Sequence, residues 1–350
     1  MIRGLPAFTG NHHMTSRGGT FMEKRIMLLS VVGFFAIFVL TSPGISLAAA
    51  KYPSEPINNV CLFGPGDQAD LFNRLLSKHF EKSLGVPIIT VNKPGGGGAV
   101  GFTYLTSQKP DGYTIGVGTL ENMIVPTLTE GKPPYVPEDL HILGQVATIY
   151  NVLVVPANSP WKTFQEFVDH ARKNPGTKFG SPGIRSTIYL RMETLNKNAK
   201  LGLVGVPFDS SAEATSAVMG GHVPVGIWDL GSARAQQAAG KVRILFIFES
   251  PAAAGLDPKT PWMGTLDKNI SEKDVDISHC LVVVSKAPDD VKRVLKGTLE
   301  KVVKDPEYLA DLKKMELMPN YVDGNIIMEK KRPVRIQQVR AFYKEMGWLK

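Results

Sequence analysis

Apolar positions along the chain alternate between helical spacing and short strand-like runs. After a glycine-rich turn at residues 64–70, apolar residues recur every three or four positions until Gly85, which predicts a helix that stops at this glycine. The β-branched runs at residues 88–91 and 114–118 flank a helical stretch at residues 99–107. This alternation of strand and helix predicts an α/β fold with mostly parallel sheets.

The second half of the chain repeats this alternation. The sequence Thr163-Phe164-Gln165-Glu166 is a capping box, so a helix is expected from there to Asn174. Further strands are predicted at residues 149–155, 178–180, 203–206, 223–229, 243–249 and 280–285. Further helices are predicted from Thr187, from Ala212 to Met219, up to Gly240, and at residues 289–304, 306–317 and 325–346.

The first 50 residues have the layout of an export signal rather than of a folded segment. Lys24 and Arg25 precede an apolar run at residues 26–40, and Ala50 closes a small-residue cleavage site. Met22, just before this basic pair, is a natural start for such a signal. We therefore expect a periplasmic protein cleaved near Ala50. The alternative is an uncleaved membrane anchor, because the apolar run is nearly long enough to span a bilayer.

Cleavage after Ala50 would leave 300 of the 350 residues, which is enough for two lobes with separate cores. The C-terminal helices follow a strand at residues 280–285 and are expected to pack back on the first lobe. We assign residues 51–152 and 279–350 to lobe 1 and residues 153–278 to lobe 2. The predicted architecture is therefore a pair of α/β lobes.

The charge, histidine and cysteine content of the chain limits which partners and cofactors it is expected to bind. The formal net charge of +8 falls to +5 without residues 1–50 (36 basic minus 31 acidic residues), and the basic residues form no run interleaved with aromatic residues. This pattern argues against a nucleic-acid partner. The seven histidines show no metal-ligand spacing, so neither a metal nor another cofactor is predicted. Cys61 and Cys280 lie in apolar runs, and either a disulfide or two buried thiols fits the sequence.

Two small-residue turns, the first at residues 64–70 and the second at residues 180–187, are the strongest candidates for function. Each follows an apolar run and leads into a helix, so the unpaired N–H groups of the helix start can receive a carboxylate without a basic side chain. Asp229 stands at the end of a predicted strand, where ligands of such sheets bind. The candidate ligand-binding residues are Gly66, Asp67, Gln68, Ala69, Asp70, Ser181, Gly183, Arg185, Ser186, Thr187 and Asp229.

Several of these residues have simpler explanations. Asp70 can be a helix N-cap, and Asp229 shares that ambiguity. Arg185 can form a bidentate pair with a carboxylate or remain a solvated loop arginine. Ser181 resembles a hydrolase nucleophile, but Phe179 replaces the first glycine of the Gly-x-Ser-x-Gly motif. Donation of a hydrogen bond to a ligand is therefore the preferred interpretation of Ser181.

A glycine run at residues 96–101 satisfies the G-x-G-x-x-G dinucleotide pattern, and Glu121 follows it at a distance of 20 residues. A run rich in glycine matches that pattern easily, and an exported protein has little access to nicotinamide cofactors. We therefore interpret the run as a tight turn that packs near the lobe interface.

From Tyr52 to nearly its end, the chain resembles the Bug family, the extracytoplasmic receptors of tripartite tricarboxylate transporters. The resemblance implies a two-lobed periplasmic-binding fold of the type II, Venus-flytrap kind, in which the two turns hold a ligand carboxylate, partly through ordered water. It rests on the order and spacing of YPSEPI at 52–57, the Pro65-Gly66 turn with Asp70, NKPGGGG at 92–98, PDGYT at 110–114, NVLVV at 151–155, GSPG at 180–183, VPF at 206–208 and GGHV at 220–223.

The chain departs from the family pattern at both turns. Asp67 stands where the family usually has a second glycine, and Gln68 and Ala69 replace small polar residues. Ile184 and Arg185 stand where the family usually has Asn and Gly. Asp67 thus adds negative charge to the expected anion site, and Arg185 adds positive charge. Either these two side chains pair with each other, or the ligand is zwitterionic or otherwise unlike a simple di- or tricarboxylate.

The expected function is capture rather than catalysis. Such a receptor would close its lobes on a small carboxylate-bearing metabolite and deliver it to integral membrane permease subunits, as a monomer and without a cofactor. Two alternatives stay open: an exported hydrolase that uses Ser181, and a receptor that reports ligand occupancy to a signalling partner. Hinges for closure are expected near residues 151–155 and 279–282.

Overall fold

The predicted export signal and Arg185 lie outside the part of the chain that the structure describes. No helix in the described part is both long enough and apolar enough to cross a membrane. The computed structural model describes residues 52–128, 133–184, 186–252, 254–266 and 277–349.

Two sheets organise the described residues. In chain order, the strands are β1 Ile57–Cys61, β2 Ile88–Asn92, β3 Thr114–Gly118, β4 Leu140–Thr148, β5 Asn151–Pro156, β6 Lys178–Pro182, β7 Val204–Phe208, β8 Val225–Asp229, β9 Val242–Ile247, β10 Ser278–Val284 and β11 Met318–Asp323. The first sheet has the order β11-β4-β10-β3-β1-β2, and the second has the order β7-β6-β8-β5-β9. The chain passes to the second sheet after β4 and returns to the first before β10.

Both sheets are mixed, whereas the sequence predicts mostly parallel ones. β1 pairs in parallel with β2 and β3, and β6 pairs in parallel with β7 and β8. β10 runs antiparallel to β3 and β4, β11 to β4, and β5 to β8 and β9. Of the reversed strands, β5 and β10 are those by which the chain enters a sheet from the other one, and β11 is an edge strand. A strand that arrives in this way is not bound by the crossover geometry that makes consecutive βα units parallel.

Helices flank both sheets, and most of them begin and end near the predicted residues. The sequence pattern does not predict the helix at Leu120–Leu128, and the predicted helix at residues 325–346 contains a π-type segment at Ile327–Lys331. The helices are α1 Gln68–Leu84, α2 Ala99–Ser107, α3 Leu120–Leu128, α4 Phe164–Lys173, α5 Thr187–Ala199, α6 Ser211–Met219, α7 Leu230–Ala238, α8 Met263–Leu266, α9 Asp289–Val302, α10 Pro306–Lys314, α11 Gly324–Ile326 and α12 Arg332–Glu345.

Each sheet has its own buried core. In the first, Phe72 of α1 packs in one cluster with Leu299 of α9, so a C-terminal helix does return to the first sheet. In the second, Phe167 of α4, Leu195 of α5 and Phe246 of β9 share a separate cluster. Burying a side chain of this size contributes about 1.5–3 kcal/mol. The two cores hold in place the strands and helices that line the candidate site.

Both cysteines are buried, and they do not form a disulfide with each other. Strand β3 lies between their strands: Cys61 of β1 is in register with Val117, and Cys280 of β10 is in register with Gly118. A disulfide between Cys61 and Cys280 does not form because a whole strand separates them. Each thiol acts as a small apolar group in the core of the first sheet.

Candidate ligand-binding cleft

Helix N-termini from both sheets meet at one cleft of about 480 Å³. The first turns of α1, α5, α6 and α7 contribute Gln68, Thr187, Ser211 and Ser232 to its lining. α1 packs on the first sheet and the other three helices belong to the second. A helix N-terminus carries unpaired N–H groups and partial positive charge. The cleft therefore offers backbone donors from opposite sides to a single anion.

Asp70 supports the first turn from behind and does not line the cleft. Its carboxylate accepts hydrogen bonds from Gly66 N at 3.0 Å, Asn92 Nδ2 at 2.8 Å and Arg74 Nε at 3.0 Å. Burial alone would raise the pKa of Asp70, but these hydrogen bonds hold the pKa below its ordinary value. Gly66 has a φ of +82°, a left-handed conformation that glycine adopts without steric cost. Asp70 thus fixes the shape of a turn that only a flexible residue can make.

Asp67 and Asp229 place two carboxyl groups on the cleft wall. Each caps the helix that follows it: Asp67 accepts from Ala69 N at 3.0 Å, and Asp229 accepts from Ser232 N at 2.8 Å. Burial raises the pKa of both groups, and the charge of Asp229 further raises the pKa of Asp67. The hydrogen bonds that they accept act in the opposite direction. A cleft suited to anions therefore also contains two acids that burial makes harder to ionise.

Ser186 organises the second turn and caps α5. Its Oγ accepts from Tyr189 N at 3.1 Å and donates to Gly183 O at 3.0 Å. Gly183 has a φ of +69° and does not line the cleft. Ser181 is fully buried, with its Oγ 3.5 Å from Ser186 Oγ, and is likewise absent from the cleft wall. Ser181 and Gly183 are therefore support for the turn rather than its surface.

A hydrogen bond joins the two sides of the cleft. Thr187 Oγ1 lies 3.1 Å from Thr119 Oγ1, which follows β3 of the first sheet. Asn122 Oδ1 accepts hydrogen bonds from Thr119 N at 3.1 Å and from Thr119 Oγ1 at 3.0 Å. Because the Thr119 hydroxyl already donates to Asn122, it accepts the hydrogen bond from Thr187 Oγ1. Asn122 Nδ2 in turn donates to Gly97 O at 2.9 Å. The glycine run is thus a turn that supports the cleft.

His279 is one of the cleft residues that the sequence pattern does not identify. Its ring stacks on Phe72 with centroids 4.3 Å apart, and neither ring nitrogen has a hydrogen-bond partner among the described residues. Burial lowers the pKa of His279 to about 3, so the ring is neutral at pH 7. A neutral imidazole in the lining can donate or accept one hydrogen bond without adding charge.

Other lining residues also escape sequence reasoning. Thr119, Ser211 and Ser232 stand at helix starts, so the N-terminus rule that singled out the two turns would have found them. Strand and loop residues such as Asn151 and Trp228 carry no such signal. Their placement depends on which strands become neighbours.

The structure brings a majority of the predicted site residues together on the cleft. Asp70, Ser181 and Gly183 do not line it, because they hold the turns from behind, and Arg185 lies outside the described residues. The predicted residues that line the cleft are Gly66, Asp67, Gln68, Ala69, Ser186, Thr187 and Asp229.

A possible metal-ligating group lies away from the cleft, at His79, Asp305 and Glu307. Lys82 already pairs with both carboxylates, at 3.9 Å from Asp305 and 2.8 Å from Glu307. Lys78 adds a second ion pair to Glu307 at 2.8 Å. Because ammonium groups neutralise these acids, we assign no metal to this group.

A two-lobed α/β fold with a cleft of helix N-termini defines a solute-binding protein of the periplasmic type. Residues 72–333 match the family described as tripartite tricarboxylate transporter family receptor. The chain is 31% identical over 278 residues to the UPF0065 protein in the gbd 5′ region of Cupriavidus necator, an alignment that covers 79% of this chain and 83% of that relative.

Solved structures share the fold. The periplasmic binding protein BugD is similar with a TM-score of 0.74 at 22% identity, covering 85% of this chain and 99% of BugD. R. palustris Rpa4515 with adipate is similar with a TM-score of 0.77 at 20% identity, covering 85% of this chain and 99% of that chain.

The chain belongs to the tripartite tricarboxylate transporter receptor family. The Bug resemblance and the two-lobed periplasmic-binding fold are thereby confirmed. This family consists of substrate-binding receptors and not of enzymes, which removes the hydrolase alternative.

Proposed function

We propose that the chain captures a small carboxylate-bearing metabolite in the periplasm and delivers it to integral membrane subunits of a tripartite tricarboxylate transporter. The observation that carries this proposal is the set of helix N-termini from both sheets on one cleft. No lysine or arginine among the described residues lines the cleft, so backbone N–H groups are the principal donors to an anion there. Family membership supports the transport role.

Closure of the lobes is part of the proposed affinity. Micromolar binding needs about 8 kcal/mol, whereas one exposed helix terminus contributes only about 0.3–1 kcal/mol to an anion. Several termini must therefore act together in a space from which closure removes water, because electrostatic interactions strengthen when the solvent is excluded. A neutral donor such as His279 adds a hydrogen bond in the same space.

The size of the cleft supports a small metabolite. Its volume of about 480 Å³ lies in the range of about 300–1,000 Å³ that small-molecule pockets occupy. The R. palustris neighbour contains adipate. We propose a ligand of that size class, with its carboxylate against the first turns of α1 and α5.

The proposed moving bodies are residues 51–152 with 279–350, and residues 153–278. Residues 151–155 and 279–282, where hinges are expected from sequence, lie inside β5 and β10, and each of these strands is paired on both sides. Paired strands resist bending, so we propose that one hinge lies at residues 149–150, just before β5, and that residues 151 and 152 move with the second body.

Export is a separate part of the proposal. We propose that a signal peptide ending near Ala50 is removed, which yields a mature chain that begins near Lys51. Mass spectrometry of the protein isolated from the periplasmic fraction measures this end directly. A protein that retains residues 26–40 and stays with the membrane would contradict it.

The function is tested by binding without turnover. We expect one of a set of probes (succinate, adipate, citrate and aspartate) to bind in calorimetry, to raise the melting temperature, and to be recovered unaltered by mass spectrometry. A ligand present at 100 times its Kd stabilises a protein by about 2.7 kcal/mol. If the protein converts a probe chemically, and the Ser181→Ala variant no longer does so, that result would contradict the receptor function.

The variant test uses the second turn. Replacing Ser186 by Ala removes the hydroxyl that holds the second turn and caps α5, and replacing Thr187 by Val removes the hydroxyl that donates to Thr119. Because these groups position the N–H donors of α5, we expect a roughly two- to tenfold loss of affinity for the bound probe, equivalent to about one net hydrogen bond. Ser107→Ala is the matched control, because Ser107 Oγ donates to Tyr104 O at 2.7 Å on an exposed surface. Equal affinities for all three proteins would place the ligand elsewhere.

A further inference from the structure

A second cavity, of about 510 Å³, lies beside the C-terminal helix α12. We call it the C-terminal cavity. It shares no lining residue with the ligand-binding cleft, so what it binds does not depend on the function proposed above. Its charged lining residues are Glu121, Lys330, Lys331 and Arg335, and its uncharged polar lining residues are Gln145, Ser278, Asn320 and Gln338.

The walls of the C-terminal cavity carry net positive charge. Lys330, Lys331 and Arg335 contribute three positive charges and Glu121 one negative charge, a net of +2. Glu121 is committed to Arg335, since Arg335 Nε lies 2.8 Å from Glu121 Oε1. A concave surface lined by one sign of charge concentrates ions of the opposite sign. The cavity therefore favours an anion.

Gln145 supplies a buried donor without an acceptor. Only 3% of this residue is exposed, and its Oε1 accepts from Lys331 Nζ at 3.2 Å. Because an ammonium group only donates, this bond fixes which end of the amide is oxygen. Gln145 Nε2 then has no hydrogen-bond partner among the described residues. Buried polar groups are nearly always paired, so an orphaned donor in a cavity wall points to a missing acceptor.

The rest of the wall indicates an organic ligand. Leu120, Cys280 and Val334 give the cavity apolar surface beside the charged groups. A volume of about 510 Å³ is that of a small-molecule pocket and far exceeds one inorganic ion. Apolar walls with a few convergent polar groups are typical of small-molecule sites.

We propose that the C-terminal cavity is a second binding site, for a small organic carboxylate. Its carboxylate accepts a hydrogen bond from Gln145 Nε2 and lies beside the charges of Lys331 and Lys330. Its carbon skeleton contacts Leu120 and Val334. The ligand is thereby held by side chains of the first lobe, in contrast to the cleft, where helix N-termini provide the donors.

The test follows the side-chain amide of Gln145 in ¹⁵N–¹H spectra of the mature protein, with succinate as the probe. We expect a saturable shift of this amide that persists in the Ser186→Ala, Thr187→Val protein, whose substituted residues line the cleft and do not line the C-terminal cavity. Lys330→Gln combined with Lys331→Gln is expected to weaken the binding at least tenfold. Arg340→Gln is the charge control: it removes one positive charge from α12, as Lys330→Gln does from the segment before α12, at a residue that does not line the cavity.

Three outcomes would overturn the proposal: no saturable shift of the Gln145 amide, equal binding by the doubly substituted protein and the Arg340→Gln control, or a shift that inorganic phosphate produces and succinate does not. Lys330→Gln alone is the second variant, since it leaves the Lys331 bond to Gln145 in place. It is expected to weaken binding by a smaller factor and to keep the unliganded spectrum of Gln145. Failure of this site leaves the cleft and its variants untouched, so the two proposals can be judged separately.

Discussion

At the scale of single residues, Asp67 is the strongest departure from a simple anion site. It stands on the cleft wall where the resemblance leads one to expect glycine, and its pKa is raised by burial and by the charge of Asp229. A ligand carboxylate nearby would favour the protonated form of Asp67 still further. A ligand that carries an ammonium group or a hydroxyl would instead use the ionised form as an acceptor.

Asp67→Asn distinguishes these two kinds of ligand. Asn keeps the N-cap of α1 and removes the negative charge. For a plain di- or tricarboxylate we expect at least roughly fivefold tighter binding at pH 7, because removing one repulsive charge at about 4 Å is worth about 1 kcal/mol even in bulk water. Calorimetry with the bound probe measures this change. A loss of affinity would instead show that Asp67 accepts a hydrogen bond from the ligand.

The same variant makes a prediction about stability against pH. The folded-state pKa of Asp67 is raised, so the folded chain holds its proton more tightly than the unfolded chain does. Stability is therefore lost as pH rises from the ordinary pKa of Asp towards the raised value. We expect Asp67→Asn to melt higher than the parent protein at pH 7, with a difference that vanishes below about pH 4. Asp209→Asn, the same substitution at an exposed position, is the control, measured over the same pH range.

Asp70 is expected to behave in the opposite way. Its lowered folded-state pKa means that its stabilising contribution is present above the ordinary pKa of Asp and is lost as pH falls through the folded value. Asp70→Asn removes a charge that holds Gly66, Asn92 and Arg74, so we expect a loss of about 1.5–3 kcal/mol at pH 7. Urea unfolding at pH 7 and at pH 3.5 measures the loss. An undiminished loss at the lower pH would contradict this account.

At the scale of elements, local signals predict helices better than strands. The capping box at Thr163 predicts α4, and the structure shows both of its hydrogen bonds, from Glu166 N to Thr163 Oγ1 at 3.2 Å and from Thr163 N to Glu166 Oε2 at 3.1 Å. The helix α3 contains Pro126, which local reasoning treats as a breaker. The strand β11 is partly polar and contains Pro319, and it is tolerated because it lies at a sheet edge.

The candidate site shows the same limit. The turns before α1 and α5 can be predicted because a helix start favours an N-cap residue, and because each of these tight turns contains a glycine at positive φ. Both signals are visible in a short stretch of sequence. Asn151 and His279 join the cleft only because β5 and β10 become central strands of their sheets. That pairing depends on contacts between distant segments, which local patterns do not contain.

The glycine that begins α11 provides a prediction at this scale. A Cβ added at Gly324 would lie 1.8 Å from Ile142 O of β4, and backbone cannot move aside cheaply. We expect Gly324→Ala to destabilise the protein by about 1–3 kcal/mol, the usual cost of overpacking, or more. Gly297→Ala is the matched control: it lies within α9 with no atom within 4 Å of the added Cβ, so we expect a gain of roughly 0.5–1 kcal/mol from helix propensity.

If Gly324 packs against β4 as described, chemical denaturation will show a lower free energy of unfolding for Gly324→Ala and a higher one for Gly297→Ala. A tolerated Gly324→Ala would mean that α11 does not pack directly on β4. A destabilising Gly297→Ala would mean that the exposed face of α9 is covered in solution.

At the scale of the whole molecule, contacts join the two lobes at two places, at the cleft and at the C-terminal end of α12. Thr119 and Thr187 meet across the cleft. The last helix packs on the first lobe as expected, but its end also reaches α5 of the second: Lys197 pairs with Glu345, and the rings of Tyr189 and Trp348 lie 5.9 Å apart. When the cleft opens, these contacts must either break or persist while the lobes move. Both the ligand and the protein's own lobe-to-lobe contacts therefore stabilise the closed form.

The most direct test of the central claim is a crystal structure of the protein with the carboxylate that raises its melting temperature most. The account predicts carboxylate oxygens about 2.7–3.2 Å from backbone N–H groups in the first turns of both α1 and α5, in one closed cleft. A ligand bound outside this cleft, or bound inside it with its carboxylate turned away from both helix starts, would contradict the account.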